Sequence, residues 1–244
     1  MTEDAGRLDG PAVGAEAPNA GVVDGHGPDA AHPPGPELRR LADATRTLID
    51  QTVRTKASPS VIADAAAAVE RAASLLEPAT PPWRTSVPAA PSARLSPHDY
   101  FPFSPMIGLY SPLAPPLECE IRDGAVHGRV TLGAAYEGPP SCVHGGVIAG
   151  LFDEVLGVAN IAAGVGAMTG TLTIVYRSPT PLLTELRVHG ATTRVDGRKV
   201  HTKGTLHAGD RLCVEAEGIF ILVDHERFAS HTSRHGAERP GDVL

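Results

Sequence analysis

The 244-residue sequence predicts an α+β domain in which an antiparallel sheet wraps around one long helix. Three observations lead to this fold class. Residues 146–163 form one long apolar segment with helical periodicity. Alternating apolar and polar residues around this segment predict about five antiparallel strands. Asp-Gly and Gly-Asp pairs between the strands are typical of tight hairpin turns.

The first 116 residues lack this pattern and divide into three segments. Residues 1–36 are predicted to be disordered, because they carry too few large apolar side chains to form a core. Residues 37–76 are predicted as a helical pair. The second helix starts at Ser58 or Ser60, and its small residues suit packing against the first. Residues 77–116 are rich in Pro and Ser with scattered aromatics, so we expect an extended segment that docks on the following domain.

Residues 117–224 form the predicted α+β domain, and the polar residues 225–244 are expected to be a disordered tail. The predicted helix spans Gly146–Ala163. The predicted strands, in chain order, are Leu117–Arg122, Ala125–Leu132, Met168–Arg177, Leu182–Val195, Lys199–Ala208 and Arg211–Val223.

Charge and composition argue against several classes of protein. A formal net charge of -7 and a pI near 5.9 disfavour nucleic acid as a partner. Three cysteines without CxxC spacing and scattered histidines disfavour a disulfide framework or a zinc site, so no metal or other cofactor is expected. The acidic start lacks a signal-like apolar run, and Asp153 and Glu154 interrupt the longest apolar segment. We therefore expect a cytoplasmic protein that does not bind membranes.

One short stretch carries the residues that chemistry requires. His144-Gly145-Gly146 opens the predicted helix, and a glycine turn at a helix start exposes N–H groups that favour negative charge. Asp153 and Glu154 follow in the helix interior, where a carboxylate is costly unless it is paired or used. Oxyanion donors and a nearby acid or base are the two parts that acyl transfer needs.

On a helical wheel, Asp153 lies on a stripe of small residues, while bulky apolar side chains fill the other directions. The residues within about 60° of Asp153 are Gly146, Ala149, Gly150, Gly157 and Asn160. Such a stripe gives a substrate room to approach an acid in apolar surroundings. It equally allows close packing across a dimer, with Asp153 bonded to a neighbouring backbone. The residues alone leave both interpretations open.

Several stretches together resemble the hotdog-fold acyl-CoA thioesterases, most of all the PaaI-like branch with the mammalian THEM-type enzymes. The stretches are Tyr136 to Gly146, Asp153, Met168-Thr169, Tyr176-Arg177-Ser178-Pro179 and Val195 to Lys199. The resemblance covers about residues 117–224 and none of the N-terminal helices. It implies a hotdog fold, with the N-terminal helices as an extension.

The resemblance also implies roles for individual residues. Asp153 corresponds to the catalytic carboxylate, which acts as a general base on water or as a direct nucleophile. The Gly145 N–H corresponds to the donor that holds the thioester oxygen, and His144 to the residue that orders this turn. Thr169 corresponds to the hydroxyl that positions the water or carboxylate, reached across the dimer interface. Glu154 has no counterpart in the mammalian enzymes and is a second candidate acid.

Substrate contacts are expected from two further groups of residues. Gly146 and Asn160 lie on the stripe beside Asp153. Arg177, Arg198 and Lys199 could hold the phosphates of coenzyme A, although cations at strand ends and turns usually face solvent.

The sequence therefore predicts an acyl-CoA thioesterase that works as a homodimer or homotetramer, with the acyl group left open. A non-catalytic acyl-CoA-binding or regulatory hotdog protein is the alternative, suggested by the extra N-terminal helices. The stripe around Asp153 counts against it, because a binder needs no carboxylate beside the thioester. A hotdog dehydratase is disfavoured because no Asp–His pair is suitably placed for elimination.

Overall fold

The computed structural model describes residues 35–80 and 96–222. Nearly all of the segment 1–36 and the whole tail 225–244, both predicted to be disordered, lie outside the described residues. The described part confirms the α+β class and the single long helix against a sheet. Its helices are Pro36–Arg54 (α1), Pro59–Leu76 (α2), Pro97–Tyr100 (α3) and Gly145–Ala162 (α4), with 3₁₀ turns at Glu77–Ala79 and Ala134–Tyr136.

In the described residues six strands form one antiparallel sheet, and each overlaps one of the six predicted ranges. They are Glu118–Arg122 (β1), Ala125–Thr131 (β2), Ala167–Tyr176 (β3), Glu185–Asp196 (β4), Lys199–Ala208 (β5) and Arg211–Leu222 (β6). The order across the sheet is β1-β2-β4-β5-β6-β3, so β1 and β3 are its edges. The predicted hairpin between β1 and β2 is confirmed, with φ of 53° at Asp123 and 73° at Gly124.

Helix α4 packs on the inner face of the sheet and supplies much of the core. Its buried residues are Ile148, Leu151, Phe152, Val155, Leu156, Val158, Ala159 and Asn160. Close approach depends on strand glycines: a Cβ at Gly190 would lie 2.9 Å from Val155 Cγ1, and a Cβ at Gly204 would lie 2.9 Å from Phe152 Cε1. By length and composition α4 is also apolar enough to cross a membrane, a test that core helices pass as well.

The N-terminal helices are confirmed as elements, but their predicted mutual packing is wrong. Arg46 of α1 donates to the carbonyl oxygens of Ser111 (2.9 Å) and Ala114 (2.8 Å), so α1 is fastened to the segment before β1. None of the residues of α2 is buried, and only Ala67 is half-buried. Alanine methyls offer little apolar area to bury, so small size alone did not create a helix–helix contact.

Residues 81–95 of the segment 77–116, which was expected to dock as an extended chain, lie outside the described residues. Residues 96–116 form turns and the short helix α3 rather than an extended chain. Tyr100, Ile107 and Ala114 are at most 2% exposed. Met106 lies over the small-residue stripe of α4, since a Cβ at Gly150 would be only 2.7 Å from its sulfur. Part of the room that the stripe leaves is therefore filled by the chain itself.

Candidate active site

Asp153 and Thr169 form the central contact of the candidate site. The Thr169 hydroxyl donates to Asp153 Oδ1 at 2.7 Å, and both side chains are exposed in the single chain. Two expectations are corrected by this geometry. Thr169 reaches Asp153 within one chain rather than across an interface, and Asp153 is not enclosed by apolar groups in one chain. It lies beside β3, one of the two edge strands of the sheet, which leaves that side of the carboxylate open.

A β-bulge directs the Thr169 side chain toward α4. Thr169 pairs with Phe220 and Thr171 with Ile219, so Gly170 is the extra residue on β3. Phe220 is 1% exposed and points into the core, which places Thr169 on the inner face of the sheet. Bulges re-aim side chains in this way next to active sites.

The turn that opens α4 leaves one N–H group free. His144 is the N-cap, and its Nδ1 accepts from the Gly146 N–H at 2.9 Å. The Gly146 N–H is therefore used internally, which corrects its expected place among the substrate contacts. Among the described residues nothing accepts from the Gly145 N–H, as is usual at the first helical position. His144 thus caps the turn, and the Gly145 N–H is the donor that the turn leaves free.

Tyr176 is a site residue to which the sequence alone assigned no role. Its hydroxyl donates to the carbonyl oxygen of Gly145 at 2.8 Å. The residue stands at the end of β3, while Thr169 stands near its beginning. The edge strand β3 therefore donates two hydroxyl hydrogen bonds to α4, one at Asp153 and one at Gly145.

Glu154 is turned away from the Thr169 contact, as neighbouring helical residues must be. It lies under the docked segment near Ser104 and Cys119 and close to the charge of Asp153. Burial raises the pKa of Glu154, the Ser104 hydroxyl lowers it by hydrogen bonding, and the Asp153 charge raises it further. Burial, with the charge of Glu154, raises the pKa of the Cys119 thiol to about 12. The structure does not bring this second candidate acid to the free Gly145 N–H.

Asn160 is a core residue, not a substrate contact. It is 0% exposed, and its Oδ1 accepts from the hydroxyls of Thr192 (2.8 Å) and Thr202 (2.6 Å). The helical wheel placed it on the side of Asp153, but the sheet twists around the helix. The same side of α4 therefore meets the edge strand at Asp153 and the middle strands β4 and β5 at Asn160.

The three cations expected to hold phosphates do not come together in one chain. Arg177 follows β3 and forms an exposed ion pair with Glu215 at 2.5 Å. Arg198 and Lys199 lie at the β4–β5 turn, where Lys199 pairs with Ile221 of β6. Tyr176, beside Arg177, pairs with Val214, seven residues along β6. The two groups are thus about 23 Å apart at about 3.3 Å per residue.

Metal-ligand geometry is missing from the part of the chain that the structure describes: no three His, Cys, Asp or Glu side chains there are grouped to hold an ion. The polar groups described above at the candidate site are Asp153, Thr169 and the Gly145 N–H. Together they offer a hydrogen-bonded carboxylate and a separate backbone donor for an anion.

Comparisons with known proteins point to one family. The model of the thioesterase superfamily matches residues 141–215. The crystal structure of protein RHA08564, a thioesterase superfamily protein, is 36% identical, covers 78% of this chain and 92% of that chain, and superposes with a TM-score of 0.69. Because 78% of this chain is covered, the similarity extends beyond residues 117–224 into the N-terminal part.

Curated relatives give the same family over a shorter region. Acyl-coenzyme A thioesterase THEM4 of Mus musculus is 38% identical over 97 residues, which is 39% of this chain and 42% of the relative. THEM4 of Xenopus laevis is 35% identical over 91 residues, 36% of this chain and 41% of the relative. The chain thus matches about two fifths of the length of these curated relatives.

Proposed function

Because the chain belongs to the thioesterase superfamily, we propose that it hydrolyses an acyl-CoA to a free acid and coenzyme A. The observation that carries this proposal is the 2.7 Å hydrogen bond from Thr169 to Asp153 beside an open strand edge. The substrate class is supported by the relatives, which are named acyl-coenzyme A thioesterases.

In the proposed reaction, Asp153 takes a proton from a water molecule whose oxygen attacks the thioester carbonyl carbon. Thr169 donates to one carboxylate oxygen, which leaves the other to accept that proton. The carbonyl oxygen becomes an oxyanion held by the Gly145 N–H, and such a preorganised donor contributes about 3 kcal/mol. The carbon–sulfur bond then breaks, and the coenzyme A thiolate takes the proton from Asp153. Alternatively, Asp153 attacks the carbonyl carbon itself and expels the coenzyme A thiolate as the carbon–sulfur bond breaks. Water then hydrolyses the resulting anhydride, which releases the acid, restores the Asp153 carboxylate and supplies the proton that the thiolate takes.

The distance between the two catalytic groups argues for a site shared by two chains. Gly145 and Asp153 are eight residues apart on one helix, or about 12 Å along its axis at 1.5 Å per residue. A thioester carbonyl needs the acid and the oxyanion donor within about 3 Å of its own atoms. One chain cannot meet both demands, so the Asp153 of one copy would act with the Gly145 of another.

The edge strand β3 suggests how a second copy completes the site in a homodimer. Its outer hydrogen-bonding groups face no other strand in the described residues, and Met168 and Tyr176 are 54% and 52% exposed. If two β3 strands pair antiparallel, the Gly145–Tyr176 end of one chain lies beside the Asp153–Thr169 end of its partner. The same pairing would bring Arg177 of one chain toward Arg198 and Lys199 of the other, in reach of a single coenzyme A.

Turnover of a panel of short, long and aromatic acyl-CoAs, followed by the free thiol released, tests the proposal. Asp153→Asn should keep the fold and lower kcat by about 10²- to 10⁴-fold. The matched control is Asp210→Asn, which removes an exposed acid in the β5–β6 turn and should leave kcat unchanged. Wild-type turnover by Asp153→Asn contradicts the assignment. Binding of acyl-CoA without any hydrolysis would favour the non-catalytic alternative.

A further inference from the structure

We propose that Tyr176 is a positioning residue that fixes the Gly145–Gly146 peptide and so aims the Gly145 N–H at the oxyanion. The inference rests on the proposed thioester hydrolysis and adds to it a residue that does not touch the reacting atoms. Two hydrogen bonds to one peptide unit and the close approach of Tyr176 to Gly145 carry it.

The peptide between Gly145 and Gly146 is held from both of its polar ends. Its carbonyl oxygen accepts from the Tyr176 hydroxyl at 2.8 Å. Its N–H donates to His144 Nδ1 at 2.9 Å. With both polar ends hydrogen-bonded, this peptide plane cannot rotate without breaking one of the two hydrogen bonds. The preceding peptide carries the Gly145 N–H and is joined to this plane at the Gly145 α-carbon.

We call these two hydrogen bonds on the Gly145–Gly146 peptide the clamp; they restrict a turn made of two consecutive glycines. Glycine has more backbone freedom than any other residue, so an unclamped Gly-Gly turn would sample several orientations of its N–H groups. An oxyanion donor is effective when it is oriented before the reaction, because reorientation during the reaction costs free energy. The clamp therefore supplies what the glycines lack.

Close approach by Tyr176 also explains why position 145 is glycine. The φ angle of Gly145 is not in the left-handed region, so backbone conformation does not require glycine there. A Cβ at Gly145 would instead lie 3.1 Å from the Tyr176 hydroxyl oxygen and 3.4 Å from the ring carbon that bears it. Tyr176 thus rests directly against the α-carbon whose amide is the free donor.

The strand that carries Tyr176 is itself well fixed at this end. Tyr176 pairs with Val214 of β6, and the following Arg177 N–H donates to the Cys213 carbonyl at 2.7 Å. Val214 and Cys213 are 0% exposed. Tyr176 therefore connects the turn that opens α4 to the buried residues of β6.

Tyr176→Phe tests the clamp, because it keeps the ring and removes only the hydroxyl. We expect kcat on acyl-CoA to fall about threefold to tenfold, the worth of one net hydrogen bond, with KM unchanged. Amide exchange at Gly146, followed by NMR, should become faster in the same variant. Combined with His144→Ala, the loss in kcat should be non-additive, since both residues hold one peptide.

Tyr136→Phe is the matched control. Its hydroxyl also donates to a backbone carbonyl, that of Ala114 at 3.3 Å, so the substitution has a similar structural cost. It should leave kcat and the exchange at Gly146 unchanged. Equal kcat in Tyr176→Phe and wild type overturns the positioning role, whether or not exchange changes. If the wild type hydrolyses no thioester, the proposed function fails, and unchanged exchange at Gly146 would separately overturn the clamp.

Discussion

Thr169 and Tyr176 face the same side of β3 although seven residues, an odd number, separate them. Side chains alternate along a strand, so an odd separation normally places two residues on opposite faces. The extra residue Gly170 in the bulge restores the match. One strand can therefore hold Asp153 with one hydroxyl and the Gly145 carbonyl with another.

Removal of the Thr169 hydroxyl should impair catalysis. Thr169→Val keeps the shape of the side chain but leaves Asp153 Oδ1 without its donor. A hydrogen bond to a charged group is worth about 1.5–3 kcal/mol, so kcat should fall by about 10- to 150-fold. Thr169→Ser keeps the hydroxyl and should stay within about threefold of wild type, on the same scale. Steady-state kinetics of both variants decide, and equal kcat in the valine variant would contradict the role.

Mixed dimers should reveal whether the site is shared between chains. Gly145→Pro removes the proposed oxyanion donor at the first helical position, and the extended His144 before it suits a proline. Its Cβ would also press on Tyr176, which acts on the same donor and adds to the same loss. Alone, Gly145→Pro and Asp153→Asn should each be nearly inactive. Mixed subunits should regain about a quarter of wild-type activity, because half of the random pairs hold one intact site.

The control for this experiment is the mixture of each variant with itself, which should regain nothing. Activity should also depend on subunit exchange, so mixing without exchange should give no recovery. A mixture that exchanges subunits, shown by mass spectrometry of the pairs, and yet stays inactive would place both catalytic groups in one chain.

Glu154 should make the fold less stable as the pH rises. Its folded-state pKa lies above the ordinary value of 4.5, so the folded chain holds the proton more tightly than the unfolded chain. The resulting stability is fully present below the unfolded pKa and is lost as the pH rises through the folded pKa. Glu154→Gln should therefore gain in Tm relative to wild type from about pH 4.5 upward.

Thermal unfolding across pH 4–8 measures this effect, and Glu217→Gln is its control. The hydrogen bond and charge of Lys203 lower the pKa of Glu217, so its contribution has the opposite sign and is lost as the pH falls. Because Glu217 is exposed, salt should screen its effect. A Tm difference for Glu154→Gln that is the same at every pH would contradict the burial of its charge.

Local signals in the sequence predicted most of the fold. The period of α4, the Asp123-Gly124 turn and the helix start at Ser58 depend on neighbouring residues, and the structure has these elements where they were expected. The resemblance predicted the contact partners Asp153 and Thr169, but not that they meet in one chain. That contact depends on the bulge at Gly170, which no local pattern announces.

Long-range geometry accounts for the expectations that failed. Asn160 shares a helical direction with Asp153, yet the curvature of the sheet buries one and exposes the other. Arg177 directly follows β3 and Lys199 begins β5, and both of these strands pair with β6. Strand direction places the two residues at opposite ends of β6. Tyr176 belongs to one of the stretches that resemble the thioesterases, but the hydrogen bond from its hydroxyl to the Gly145 carbonyl is visible only in the folded chain.

The two edge strands of the sheet differ in how readily another strand could add to them. Strand β1 is five residues long and points Glu118, Glu120 and Arg122 outward, features that discourage a further strand from adding. Strand β3 is ten residues long and lacks such charges along Ala167–Tyr176. A pair of chains joined through β3 about a two-fold axis would leave only the two short, charged β1 strands as sheet edges. Such an assembly would be closed and would not polymerise into a fibre.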